Sequence, residues 1–150
     1  MPFRRGVLNM SNLERFAEYA EAFEETLLDD DWARLEQYFS PDAVYLPGDG
    51  SEAAGRDNVL QALRDSVNML DRQFDSREFV EEPRLSEAGD TVTFTFAVKY
   101  AKHGLPDLAI SGTETATFAD GVIERMEDAL DESAAAALAV WLEKHQGSPD

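Results

Sequence analysis

The sequence predicts an α+β fold, in which helices occupy the first part of the chain and an antiparallel sheet occupies the second. Apolar residues recur at helical spacing in much of the first half of the chain. From Thr91 to Tyr100, large apolar residues alternate with threonine, alanine or lysine, which is typical of a strand with one buried face. The Asp120-Gly121 pair then separates two further alternating runs, as in a β-hairpin. This order predicts a sheet that curves over the helices.

Helices are predicted at about residues 11–27, 32–39, 56–70 and 132–145. The first begins at Ser11, which forms a capping box with Glu14. Pro41 is expected to end the short second helix, because proline has no N–H to donate within a helix. The last helix is rich in alanine and carries Leu138, Trp141 and Leu142.

Strands are predicted at residues 43–46, 74–80, 91–100, 108–118 and 122–128. Pro83 is expected to kink the chain after the second of these or to place its continuation at a sheet edge. Residues 47–55 contain three glycines and are predicted to be a loop. That loop would be either a mobile lid over a ligand or an ordinary connection.

Composition limits the classes of function. The chain has 150 residues, which suits one domain with a real core, and a net charge of −18. Such an excess of acid argues against nucleic acid or an anionic membrane as a partner. No run of residues is apolar enough for a signal peptide or a membrane span, so a cytoplasmic protein is expected. The absence of cysteine excludes disulfides, thiolate nucleophiles and sulfur-ligated metals.

Two carboxylates fall on faces that are otherwise apolar. Glu114 shares one face of its predicted strand with apolar and small residues such as Ile110 and Phe118. Asp128 alternates with Met126 and Val122 in the next strand, although Glu124 breaks that pattern. A carboxylate on an apolar face is costly to ionise, so it is paired, protonated or used. We therefore predict Glu114 as a proton-transfer group and Asp128 as its helper, the alternatives being a structural carboxylate at 114 and a helix cap at 128.

The chain resembles the SnoaL-like branch of the NTF2-like (cystatin-like cone) superfamily. The segments that carry the resemblance are Asp31-Trp32 through "LEQYFSPDAVYLPG", "GRDNVLQALRDSV" and "ISGTETATFADGVIERMEDAL". The likeness covers about residues 11–131 of a single domain, with residues 132–150 as a C-terminal extension. It implies a cone-shaped, strongly curved antiparallel sheet wrapped around the helices, an apolar pocket, and frequent homodimers formed through the outer sheet face.

Against the ketosteroid isomerase pattern of that superfamily, the chain departs at two of three catalytic positions. Pro47 stands in place of the base carboxylate, Phe23 in place of the oxyanion tyrosine, and Glu114 matches the interior acid. The epoxide hydrolase pattern expects an arginine where this chain has Gly112. The polyketide cyclase pattern needs one interior acid or base in an apolar cavity, which Glu114 can provide.

The apolar faces of the predicted helices and strands also contain residues that could contact a ligand. The candidate ligand-binding residues are Phe23, Trp32, Tyr45, Leu46, Phe94, Phe96, Tyr100, Ile110 and Met126. The alternative for all of them is plain core. Two isolated histidines, His103 and His145, without cysteine make a zinc site improbable, and no nucleotide or phosphate motif occurs, so neither a metal nor a cofactor is expected.

Three functions stay open from the sequence. The first is cofactor-free acid–base chemistry on a small apolar or polyketide-like molecule, as in an isomerase, cyclase, dehydratase or hydrolase. The second is a non-catalytic module that holds a metabolite in the same pocket. The third is an interaction protein whose cone is filled by its own side chains.

Overall fold

A computed structural model describes residues 11–48, 50–71 and 74–145, which form helices and one seven-stranded sheet. The elements are α1 (Asn12–Asp29), a 3-10 helix (Trp32–Tyr38), β1 (Phe39–Leu46), β2 (Ala53–Ala54), α2 (Arg56–Met69), β3 (Ser76–Phe79), β4 (Arg84–Ala88), β5 (Thr91–Ala101), β6 (Leu108–Ala119), β7 (Val122–Leu130) and α3 (Glu132–His145). The α+β prediction is confirmed. The stretch predicted as a loop contains the short strand β2, which pairs with β1.

The sheet has the order β2-β1-β7-β6-β5-β3, and β4 also pairs with β5. All pairs are antiparallel except β1 with β7, which is parallel. The predicted antiparallel sheet is therefore confirmed, and it contains this one parallel pair. The parallel pair matters for function, because it places β1, from the start of the chain, beside β7 near its end.

The inner face of the sheet packs against α1, the 3-10 helix and α2. Helix α1 begins with the predicted Ser11–Glu14 capping box and ends at Asp30, whose φ of 61° is left-handed. The largest fully buried side chains come from both layers and are Phe16, Thr26, Leu35, Phe39, Val59, Val92, Ile123 and Met126. Burial of each large apolar side chain contributes about 1.5–3 kcal/mol.

Pro41 does not end the second helix. That helix is a 3-10 helix that stops at Tyr38, and Pro41 lies within β1. The register between β1 and β7 shifts between Phe39 and Val44, so Pro41 falls where the pairing is interrupted. Proline is tolerated at such a position because no ladder hydrogen bond needs its missing N–H.

A bulge in β7 explains why Glu124 breaks the alternation. Thr117 pairs with Arg125, but the next residue, Phe118, pairs with Ile123. One residue is therefore inserted at this point, and the face changes. Ile123 is fully buried, so the prediction that Val122 shares a face with Met126 and Asp128 is wrong.

Helix α3 covers one end of the inner face. Its Trp141 packs with Val98 and Ile110 in a cluster separate from the main core. The indole Nε1 donates to the carbonyl oxygen of Pro106 at 3.2 Å, and the ring lies 4.8 Å from that of Phe74. Trp141 thus anchors the C-terminal extension together with the buried Ala134 and the partly buried Leu138. None of the described helices is long and apolar enough to cross a membrane.

We expect Trp141→Ala to release α3 and leave the rest of the sheet folded. The free energy of unfolding should fall by up to about 3 kcal/mol. This is the lower end of the range for truncating a buried tryptophan, because α3 can detach locally without unfolding the sheet. Hydrogen exchange should accelerate in α3 and remain slow in β5 and β6. Val140→Ala is the control, since Val140 is 51% exposed. Equal acceleration throughout the sheet would contradict a local anchoring role.

Candidate proton-transfer site

Glu114 and Asp128 lie directly opposite each other on β6 and β7. On the other side of Glu114, its partner on β5 is Phe94. Glu114 shares its face of β6 with Gly112 and Ala116, as the alternation of a strand requires. The two carboxyls predicted from the sequence are therefore brought together on the inner face.

Two glycines allow the backbone of β7 to come this close. A Cβ added to Gly112 would lie 2.4 Å from the carbonyl oxygen of Ala129, and one added to Gly48 would lie 2.6 Å from that of Asp128. Both distances are shorter than atoms tolerate, and the obstacle in each case is backbone. Gly48 also has a φ of +98°, which favours glycine. The backbone around Asp128 is thus held between β6 and Gly48, the second residue after β1.

Tyr45 holds the Asp128 side chain. It belongs to β1, is only 2% exposed, and its hydroxyl donates to Oδ2 of Asp128. Its place follows from the parallel pairing of β1 with β7, in which Tyr45 is opposite Met126. Sequence reasoning named Tyr45 as a ligand contact, whereas in the structure it is bonded to the candidate helper carboxyl.

The two carboxyls perturb each other. Burial raises the pKa of Glu114 well above its usual range, and the negative charge of Asp128 raises it further. Burial also raises the pKa of Asp128, while hydrogen bonds to Glu114 and Tyr45 act in the opposite direction. Two adjacent carboxyls in a medium of low polarity retain one proton between them, since ionising both would place like charges in contact.

Tyr19 is a further member of the site, and sequence reasoning missed it. This α1 residue is 3% exposed, and after burial the largest causes of its raised pKa are the charges of Glu114 and Asp128. It lies one helical turn before Phe23, on the same face, and the two rings are 6.3 Å apart. That spacing is the signal that could have identified it.

A partly accessible patch surrounds the carboxyl pair. The Glu114 side chain is half-buried and keeps part of its accessible surface. The same holds for Phe94 and Phe96, whose stacked rings are 5.9 Å apart, whereas Val92 and Val98 on either side are buried. The half-buried rings of Phe94 and Phe96 thus lie beside Glu114 on this face.

The other predicted ligand contacts are distributed differently. Phe23 and Leu46 are half-buried, and Met126 and Trp32 belong to the main core. Tyr100 and Ile110 lie in the cluster beneath α3. The Tyr100 hydroxyl donates to Oδ2 of Asp71 at 2.9 Å, and Arg77 pairs with the same oxygen at 3.0 Å. Tyr100 is thus committed to a second polar network.

Two surface clefts lie away from the pair. One, of about 460 Å³, is lined by α1 and Tyr38, and the other, of about 370 Å³, lies at the start of α2. Neither includes Glu114. Among residues 11–48, 50–71 and 74–145, no group of three or more side chains is placed to hold a metal ion.

Comparison with known proteins assigns the family. A family model described as the SnoaL-like domain matches residues 16–126. The chain belongs to the SnoaL-like family. This match and the structural neighbours confirm the resemblance and the cone-shaped NTF2-like fold that it implied. A search of curated proteins finds no match.

Solved structures of SnoaL-like and NTF2-like proteins share the fold at low sequence identity. An NTF2-like protein from Burkholderia pseudomallei has a TM-score of 0.66 at 17% identity, over 87% of this chain and 96% of that one. TerC, co-crystallised with polyporic acid, has a TM-score of 0.63 at 20% identity, over 88% and 98%. A candidate SnoaL-like polyketide cyclase from Shewanella denitrificans has a TM-score of 0.61 at 16% identity, over 86% and 97%.

We expect Glu114→Gln to remove a pH dependence of stability. The pKa of Glu114 in the folded protein is raised above its ordinary value of 4.5, so the unfolded chain loses this proton first as the pH rises. Wild-type stability should therefore fall relative to the variant from about pH 4.5 upward, by at most about 1.4 kcal/mol per pH unit. Urea unfolding at pH 4 to 8 measures the difference.

The matched control for this experiment is Glu124→Gln, which removes the same charge from an exposed residue of β7. Its stability relative to wild type should show little dependence on pH in this range. The free energies of unfolding of wild type and Glu114→Gln could instead differ by the same amount at every pH. Glu114 would then ionise as an exposed carboxyl does, and the shared proton would be disproved.

Proposed function

We propose that the Glu114–Asp128 pair is a cofactor-free proton-transfer site for a small apolar ligand, which would bind on the inner face beside Phe94 and Phe96. One observation carries the proposal: two carboxyls lie opposite each other on adjacent strands of the inner face, where burial raises the pKa of both. Such a pair supplies a proton donor and a proton acceptor in one place, which is the requirement of general acid–base catalysis.

The charge of the site favours a neutral ligand. Among the described residues, no lysine or arginine forms an ion pair with Glu114 or Asp128. The pair keeps one negative charge in surroundings of low polarity, where repulsion of an anion is strong. Aromatic rings next to the pair suit an apolar, polyketide-like skeleton that carries an oxygen able to exchange a proton.

The comparisons support a small-molecule ligand. TerC was crystallised with polyporic acid, and the Shewanella denitrificans protein is named as a candidate polyketide cyclase. Both have the fold of this chain. On this basis the reaction is an isomerisation, cyclisation, dehydration or hydrolysis that needs proton transfer and no redox step. We also propose one domain that forms a homodimer through the outer sheet face, where half-buried threonines such as Thr93 and Thr115 lie opposite each other.

A second candidate function is a module without chemistry. Two observations favour such a module. Neither of the two surface clefts includes Glu114, and Asp128 already accepts a hydrogen bond from Tyr45. In that case the pocket holds a ligand without converting it, or is filled by its own side chains.

We expect a thermal-shift screen of neutral apolar and polyketide-like compounds to find ligands that stabilise the protein. At 100 times the dissociation constant, the gain is about 2.7 kcal/mol. Each ligand is then incubated with wild type, Glu114→Gln and the control Glu124→Gln, and products are measured by mass spectrometry. Glu114→Gln should keep the stabilisation and lower turnover by a factor of at least about 100, the usual contribution of a general acid or base.

The outcomes separate the candidates. Stabilisation without turnover in any form of the protein would favour the binding module. Absence of stabilising ligands in a broad panel would contradict an open pocket. Equal turnover in wild type and Glu114→Gln would contradict the proposed role of Glu114.

A further inference from the structure

The two oxygens of the Asp128 carboxyl have different partners. Oδ2 accepts a hydrogen bond from the hydroxyl of Tyr45. Oδ1 is buried and accepts no hydrogen bond from an amide, a guanidinium or a hydroxyl group of the described residues. A buried carboxylate oxygen without a partner is costly, so Oδ1 requires a donor.

The Glu114 carboxyl is the group that can provide this donor. It lies directly opposite Asp128 on the adjacent strand, close enough to affect the pKa of that carboxyl. A carboxyl group donates only in its protonated form. The contact is therefore a bond from the Glu114 O–H to Oδ1 of Asp128, or the reverse with the proton on Asp128.

Tyr45 distinguishes these two arrangements. Its hydroxyl forms a stronger hydrogen bond with an ionised carboxylate than with a neutral carboxylic acid. With the proton on Glu114, Asp128 is the carboxylate and both of its oxygens accept. With the proton on Asp128, Tyr45 donates to a neutral acid and its hydrogen bond is weaker. The negative charge is then on Glu114, which receives no hydrogen bond from Tyr45.

We propose that Tyr45 is a positioning residue that assigns the shared proton to Glu114, which makes Glu114 the acid and Asp128 the base of the pair. The assignment of the proton stands independently of any ligand, while the roles of acid and base rest on the proposed function. Tyr45 reaches the pair because β1 runs parallel to β7 and its side chain is buried among the same residues.

The other groups around the pair are consistent with this assignment. Burial and the charges of Asp128 and Glu114 raise the pKa of Tyr45, so its hydroxyl stays protonated and remains a donor. Tyr19, which approaches from α1, also has a raised pKa and stays neutral. From β5 the neighbour of Glu114 is the apolar Phe94. The proton shared by the two carboxyls is then the one that titrates.

Carboxyl ¹³C NMR of the full chain tests the proposal. At pH 7 the side-chain carboxyl carbon of Glu114 should show the chemical shift of a neutral acid, and that of Asp128 the shift of a carboxylate. In Tyr45→Phe the apparent pKa of Asp128 should rise and that of Glu114 fall, by about one to two pH units, which corresponds to losing a hydrogen bond to a charged group.

Tyr100→Phe is the matched control, because it removes a similar tyrosine–aspartate bond, to Asp71, in another part of the interior. It should leave both titrations unchanged. A proton found on Asp128 in the wild type, or a Tyr45→Phe titration equal to that of the wild type, would overturn the proposal. If Tyr45→Phe does not fold, the wild-type spectrum still decides which carboxyl holds the proton.

Kinetics give a second readout once a substrate is known. Tyr45→Phe should lower kcat with little change in KM, and should move the rise of activity with pH toward higher pH, because the base then ionises later. A loss of packing alone would not shift the pH at which activity rises. A proton on Glu114 in a protein that binds no ligand would uphold this inference and contradict the proposed function, so the two failures are distinguishable.

Discussion

The contact between the carboxyls of Glu114 and Asp128 is the interaction on which the inner face of the sheet depends. Both carboxyls project from adjacent strands into a face built from apolar residues, and neither has an ion-pair partner among the described residues. Two full charges there would repel each other, and two protons would leave Asp128 a weaker acceptor for Tyr45. One proton satisfies the contact. The chemistry available at this site follows directly from that requirement.

The backbone is arranged to bring this pair together. Ile123 and Asp128 both belong to the inner side of β7, although an odd and an even position cannot share a face of a regular strand. The bulge at Glu124 resolves the conflict by inserting one residue between them. Gly112 and Gly48 then permit the close approach on either side of Asp128. An irregularity and two missing side chains, rather than an ideal sheet, define the geometry of the site.

Sequence reasoning located Glu114 because β6 pairs with β5 in one continuous register without a bulge, so alternate residues keep the same face along the strand. It located Asp128 only in part, since the bulge cannot be read from local alternation and Val122 was placed on the wrong face. The hydrogen bond from Tyr45 to Asp128 could not be predicted from local patterns. It depends on a parallel pairing between two segments, and the two residues are 83 positions apart. The same holds for Tyr19, whose partners lie on distant strands. The face on which a residue lies could be predicted where local periodicity determines it. Contacts that depend on the pairing of distant segments could not.

The energetic balance of the pair argues for its use. A carboxyl that is held neutral in the fold contributes an unfavourable free energy that grows with pH above its ordinary pKa, and an apolar side chain of similar size would avoid it. The surroundings would accept such a replacement, since Phe94 and Met126 already pack around the same face. Groups with pKa values perturbed by burial and by a partner are concentrated at functional sites. The proposed proton-transfer function rests on this pair, which is costly to keep, is held by a buried tyrosine and lies beside the half-buried rings of Phe94 and Phe96.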